Sequence, residues 1–131
     1  MADVTEISVR WNNISRKAII DSIIETTEDG RYSSMKNKKA SWNSAVLIFN
    51  SKTGLNYSKK ILVSQLQSMK KNWAVYDHYA NCSGFGIDST GIVTAAPEAL
   101  NSYLVSHPKA AQFATTPLPF YKELCSLFSS K

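Results

Sequence analysis

Between Trp11 and Thr27 the apolar residues Trp11, Ile14, Ala18, Ile19, Ile20, Ile23 and Ile24 recur at three- and four-residue steps, the spacing of one helical face. Asn12 and Asn13 can cap its start, and Gly30 lies beyond its end. Residues 31–37 have no period and read as a loop. The period returns in Ala40, Trp42, Ala45, Val46 and Phe49, a second helix running up to Gly54. Ser58 then offers an N-cap for a third segment, in which Leu62, Leu66, Met69, Trp73 and Tyr76 fall at steps of 4, 3, 4 and 3. That stripe is the strongest helical signal in the chain.

Asn81 to Gly91 gathers three glycines with Asn, Asp and Ser, and so predicts a turn region that ends the third helix. Pro97 suits the first turn of a fourth helix, with Leu100, Tyr103 and Leu104 turned inward and His107-Pro108 as its stop. A short fifth piece follows. After Pro117 and Pro119, a last helix carries Phe120, Leu124, Leu127 and Phe128 on one face and ends in a polar tail. The pattern predicts an all-α single domain over residues 1–131, with a trihelical core over about 9–81 and a packed helical extension over about 92–129. Trp11, Trp42 and Trp73, one to each of the first three helices, are expected in an aromatic-centred core with Phe49 and Leu66.

Composition supports one folded domain: 131 residues with 44% hydrophobic and 19% charged side chains. Charge changes the picture more. The net charge of +5 favours an acidic partner, and its distribution is uneven. From Gly30 to Tyr76 there is no acidic residue, while Arg31, Lys36, Lys38, Lys39, Lys52, Lys59, Lys60, Lys70 and Lys71 are all basic. Residues 81–131 balance Lys109, Lys122 and Lys131 against Asp88, Glu98 and Glu123. Asp21, Glu25 and Glu28 fall at helical steps and read as a solvated face of the first helix.

Other chemistry is thin. Cys82 and Cys125 make no Cys-x-x-Cys pair and are expected as reduced thiols. His78 and His107 have no carboxylate or Cys at metal-ligand spacing, so no metal is expected. Gly84, Gly86 and Gly91 do not make a nucleotide loop, because Ser89 stands where the third glycine would be needed. No cofactor and no nucleophile–base pair is indicated, so an enzyme is not expected. No stretch approaches the roughly 18 apolar residues of a spanning helix, and residues 1–10 have no leader pattern, which predicts no membrane partner.

Opposite the stripe, the third helix presents Lys59, Lys60, Val63, Ser64, Gln67, Ser68, Lys70 and Lys71. Lysines neutralise phosphates, Ser and Gln reach phosphates or base edges, and Val63 can sit against a thymine methyl. Lys38 and Lys39, before the second helix, add to the same basic set. Ordinary solvated helices mix both signs, which weights this face toward nucleic acid.

The ordered string Trp11, then Ala40-Ser41-Trp42, Phe49-Asn50 through Gly54-Leu55 and Tyr57-Ser58-Lys59-Lys60, then Leu62 through Leu66 to Lys70-Lys71 and Trp73, resembles the Myb/SANT-like DNA-binding domain of plant, fungal and transposon-related proteins. Ser83-Gly84-Phe85-Gly86-Ile87-Asp88, Tyr103-Leu104, His107-Pro108, Phe113 and Leu118-Pro119-Phe120-Tyr121 through Phe128 are similar to the extension that follows in that family. Ile87 and Leu100 depart from it, standing where the family carries tryptophan; both are apolar, so their packing is expected to survive. The resemblance implies a helix-turn-helix core whose third helix docks in the major groove of double-stranded DNA through Lys59, Lys60, Ser64, Gln67 and Lys71. It further implies a nuclear protein acting in transcription regulation or as a transposon-related DNA-recognition module. The alternative is a protein-interaction module, a SANT-type chromatin reader or an adaptor, with a protein partner or a second copy on the C-terminal helices.

Overall fold

The computed structural model describes residues 10–129. Val9, the expected start of the trihelical part, and Ser130-Lys131 of the polar tail lie outside the described residues. In chain order the elements are α1 (Asn13–Thr26), a 3₁₀ turn (Tyr32–Met35), α2 (Lys39–Thr53), α3 (Lys59–Ala80), β1 (Gly86–Ile87), β2 (Val93–Thr94), α4 (Pro97–Ser106), a second 3₁₀ segment (Pro108–Phe113) and α5 (Tyr121–Phe128). The fold is helical, with a two-stranded hairpin where the sequence predicts only a turn.

Helix α1 starts at a reciprocal cap: Ser15 N–H donates to Asn12 Oδ1 at 2.9 Å, and Asn12 N–H to Ser15 Oγ at 3.0 Å. Its buried side is Ser15, Ala18, Ile19, Ile20, Ser22 and Ile23. Ile14 and Ile24, expected inside, are instead 78% and 40% exposed. At 3.6 residues per turn both lie roughly 140° from Ile19, on the far side, and two serines take the interior positions instead. Burial of Ser22 is tolerated because its hydroxyl donates to Ile19 O at 2.8 Å.

Helix α2 buries Trp42, Ala45 and Phe49, leaves Val46 half-buried and exposes Ala40. It stops at Gly54, whose φ of 73° lets its N–H turn back to Asn50 O at 2.8 Å. Helix α3 buries Leu62, Leu66, Met69 and Tyr76, while Trp73 is half-buried. Trp11 is half-buried as well. Of the three indoles expected in the core, only that of Trp42 is inside; the other two lie at its margin.

The chain divides into two compact units, one of residues up to Gln67 together with those from Lys122, the other Ser68–Tyr121. In the first, Ile19, Ile20, Ile23, Met35, Ala45, Phe49, Leu62, Leu66, Leu124 and Leu127 are the innermost side chains. The 3₁₀ turn, expected as structureless loop, buries Met35 and sets Tyr32 edge-on to Trp42 and Phe128 at 6.3 and 5.6 Å between ring centres. Glu25 of α1 pairs with Lys52 of α2 at 2.8 Å, and Asp21 with Lys17 at 2.7 Å, so two of the acids expected as free surface are in ion pairs.

The second unit packs Tyr76, Tyr79, Ala80, Val93, Ala110 and Phe113 together, with Phe85, Leu100, Tyr103, Leu104 and Tyr121 against them. Tyr76 Oη donates to Gly91 O at 2.6 Å and Tyr121 Oη to Asp77 Oδ1 at 2.7 Å, which ties the loop and the chain end to α3. In the hairpin, Gly86 faces Thr94 and Ile87 faces Val93. Asp88 closes it, its Oδ1 accepting from Thr90 N–H and Oγ1 and from Ile92 N–H at 2.8, 2.6 and 3.1 Å. Gly91 has φ 88°, and a Cβ there would lie 2.8 Å from that of Pro117, so only glycine fits. Leu100 does pack on this core, whereas Ile87 is 42% exposed although its cross-strand partner Val93 is buried.

Candidate nucleic-acid interface

The turn between α2 and α3 is built by side chains from both of its ends. Asn50 Nδ2 donates to Tyr57 O at 3.0 Å while Tyr57 N–H donates to Asn50 Oδ1 at 2.9 Å, a two-point clamp across residues 54–56. Trp11, Phe49 and Tyr57 meet ring to ring at 5.5–5.9 Å. The clamp and the rings leave the entry into α3 little freedom. Ser58 then supplies the cap: its Oγ accepts weakly from Ile61 N–H at 3.5 Å, and its carbonyl takes Leu62 N–H at 3.2 Å.

Directly behind this turn stand Lys59 and Lys60, both exposed. Ser64 and Gln67 follow Lys60 at steps of four and three, exposed on the same face. Val63 is half-buried rather than fully outward. Lys59 Nζ sits 5.6 Å from the centre of the Trp42 ring, and Trp42 N–H donates to Lys38 O at 3.0 Å. The first turns of α2 and α3 are thereby linked, with Lys38 and Lys39 exposed at one and Lys59 and Lys60 at the other. Lys38 also lines a polar depression of about 500 Å³ with Glu28 and Asp29. Lys70 and Lys71 are exposed on the part of α3 that belongs to the second unit.

Neither α2 nor α3 has an acidic residue in its first turn. Lysines there oppose the helix dipole, whose positive end favours anions by about 0.3–1 kcal/mol per charge. Among the described residues, ion pairs join Lys17 to Asp21 and Lys52 to Glu25; Lys39, Lys59, Lys60, Lys70 and Lys71 are in neither. The arrangement gathers positive charge where two helix starts already favour a phosphate. Periodicity could not reveal the clamp, because Asn50 and Tyr57 are seven residues apart across a turn. Its visible signal is an Asn placed just before Gly54, with an aromatic beyond it.

Two features of other chemistry are simple. Neither Cys82 nor Cys125 is in a disulfide. Among the described residues no cluster of His, Cys, Asp and Glu is placed to hold a metal ion, and no helix is long and apolar enough to cross a membrane.

A family model for the Myb/SANT-like DNA-binding domain matches residues 10–103, and the chain belongs to that family. The match ends at Tyr103, so His107-Pro108, Phe113 and the stretch from Leu118 to Phe128 lie beyond it. No curated protein and no solved structure matches the chain. Membership supports DNA binding in general and argues for a binding module over an enzyme.

Proposed function

We propose that the chain binds double-stranded DNA with the exposed side of α3 in the major groove, Lys59 and Lys60 on phosphates and Ser64 and Gln67 toward base edges, while Lys39 and Lys38 at the start of α2 hold the backbone. Val63 contributes apolar contact from its half-buried place, and Lys70 and Lys71 add phosphate contacts further along α3. The observation that carries this reading is the pair of helix starts fronted by exposed lysines with no acid in either first turn. A protein breaks a local rule of this kind where a ligand compensates for it. The chain then acts in the nucleus, as a transcriptional regulator or as the DNA-recognition part of a transposon-derived gene.

A selection from random duplex oligonucleotides, followed by a salt titration on the selected site, tests this. About four to six phosphate contacts give a log-log salt slope of about −4 to −5. Enrichment of a common sequence supports readout by Ser64 and Gln67. Binding that ignores salt, or no binding at low salt, overturns the proposal and leaves the protein-interaction reading in its place.

A further inference from the structure

The second unit carries a groove that the DNA-facing residues do not use. It has a volume of about 540 Å³ and is lined by Ala74, Val75 and His78 of α3, Tyr103 of α4, and His107 to Ala110 beyond it. That volume suits a few side chains of a ligand. Its floor is apolar, and among the described residues no carboxylate lines it. The rim is basic or neutral: Lys109, His78 and His107 are exposed.

The acids of this unit are occupied or stand apart. Asp77 is held by Tyr121 Oη and Asn81 Nδ2, and Asp88 by its own turn. Glu98 is in the first turn of α4, ahead of the groove-lining Tyr103. An apolar floor with a carboxylate-free, cation-bearing rim selects a ligand that combines apolar anchors with negative charge. Nucleic acid also carries negative charge, but phosphates gain nothing from an apolar floor, and a single strand would seek an open aromatic face on which to stack a base. Tyr103 has none to spare: its ring stacks on His107 at 3.9 Å and on Tyr79 at 5.1 Å, both nearly parallel, and its hydroxyl meets His78 Nδ1 at 2.6 Å. Those same contacts hold the groove in shape before any ligand arrives.

We infer that this groove is a docking site for an acidic peptide segment of a partner protein, one that inserts an aliphatic or aromatic side chain over Ala74, Val75 and Pro108 and sets Asp or Glu against Lys109. The site is independent of the DNA-binding reading, and lets a DNA-bound chain recruit a second protein.

The test uses the full chain and a fluorescein-labelled synthetic peptide rich in Asp and Glu with Phe and Leu anchors, read by fluorescence polarisation. Control peptides replace the anchors by Ser or the acids by Asn and Gln. Ala74→Glu places bulk and charge on the groove floor at an exposed helical position, and Lys109→Glu inverts the rim. Each is expected to weaken the acidic peptide by about tenfold or more, with the melting temperature and duplex DNA affinity unchanged. Both control peptides are expected to bind less well than the parent. Binding of the Ser-substituted peptide equal to that of the parent reduces the site to bare charge and overturns the inference. So does an absence of peptide binding, or a loss of single- or double-stranded DNA binding in both variants, which assigns the groove to nucleic acid. Should Ala74→Glu fail to fold, Lys109→Glu decides alone.

Discussion

In the unit made of residues up to Gln67 and from Lys122 onward, the innermost side chains are mostly aliphatic, with Ile19, Ile20, Ile23, Leu62 and Leu66 at full burial. In the unit Ser68–Tyr121 the largest buried side chains are aromatic, Tyr76, Tyr79 and Phe113, and phenols do the fastening, Tyr76 to the Gly91 carbonyl and Tyr121 to Asp77. Charge divides the same way. Ser68–Tyr121 balances Lys70, Lys71 and Lys109 against Asp77, Asp88 and Glu98, so the whole excess of +5 belongs to the other segments. The first unit closes mainly by helix packing, with the Asn50–Tyr57 clamp at one turn, and its exposed surface carries most of the lysines. A unit assembled from a helix end, a hairpin and 3₁₀ pieces has many loop carbonyls to satisfy, and hydroxyl-bearing aromatics serve both packing and bonding. Stability and DNA affinity should accordingly respond to different residues.

The largest effect is expected in the aliphatic unit's one fully buried aromatic ring. Phe49→Ala removes a ring in contact with Trp11 and Tyr57 and should lower stability by about 3–5 kcal/mol, most of the margin of a small domain. Trp73→Ala, at a half-buried position in the other unit, should cost clearly less. Urea unfolding of the two variants compares them. Equal losses would mean that exposure is a poor guide to which aromatic ring matters.

Next comes binding. Lys59→Ala with Lys60→Ala should flatten the salt slope for duplex DNA by about 2 and weaken binding by about tenfold or more, with the fold retained. Lys60→Glu should go further in both directions, abolishing binding while raising stability by about 0.3–1 kcal/mol, since it puts an acid at the first turn of α3. Lys109→Ala, in the neutral unit, should leave DNA affinity alone. If Lys109→Ala weakens DNA as much as the double variant, the division of charge between the units has no functional meaning.

How far the sequence reveals this molecule depends on the range of the interaction concerned. Leu62, Leu66, Met69 and Tyr76 lie on one face because the helix repeat is local, and local repeats are legible. Ile14 and Ile24 mislead because hydrophobicity alone cannot show that Ser15 and Ser22, each with a bonded hydroxyl, take the interior side of α1. The Tyr32–Met35 turn and the two-residue strands are too short to have a period at all. The division of the chain within α3 depends on which distant segments pack where, and no feature of the helix announces it. The basic run is plain in the composition, and so is its place before α2 and at the start of α3; that Lys59 lies over Trp42 depends on the turn geometry.

A smaller effect probes the phenol fastening. Tyr76→Phe keeps the ring edge-on to Phe113 and Tyr121 but removes the donor to Gly91 O, which should cost about 1 kcal/mol. Duplex DNA binding should be unchanged in the same variant. Loss of DNA affinity with little loss of stability would reverse the assignment of roles to the two units.

The smallest expected effect is one that the units share. Asp29 in the first and Asp88 in the second both fold their carboxylates back onto their own turns. Asp29 accepts from the Ser34 hydroxyl at 2.7 and 2.8 Å and from Arg31 N–H at 3.0 Å, and Asp88 from the Thr90 hydroxyl and the nearby amides. In each case the hydroxyl bond is the main reason that the carboxyl lies below its ordinary value near 3.8, with the backbone bonds adding to it. A carboxylate depressed in this way contributes its full stability above the unfolded value and loses it as the pH falls through the lower folded one. Both groups are open to solvent, so the effect on overall stability is slight. Unfolding followed between about pH 5 and pH 2 should therefore show a shallower acid-side decline in Asp29→Asn and in Asp88→Asn than in the parent. Asn retains an acceptor oxygen, so both variants should match the parent's fold at neutral pH. A flattened decline in one variant but not the other would extend the contrast between the units to their turns; an unchanged decline in both would mean that neither turn carboxylate is linked to folding.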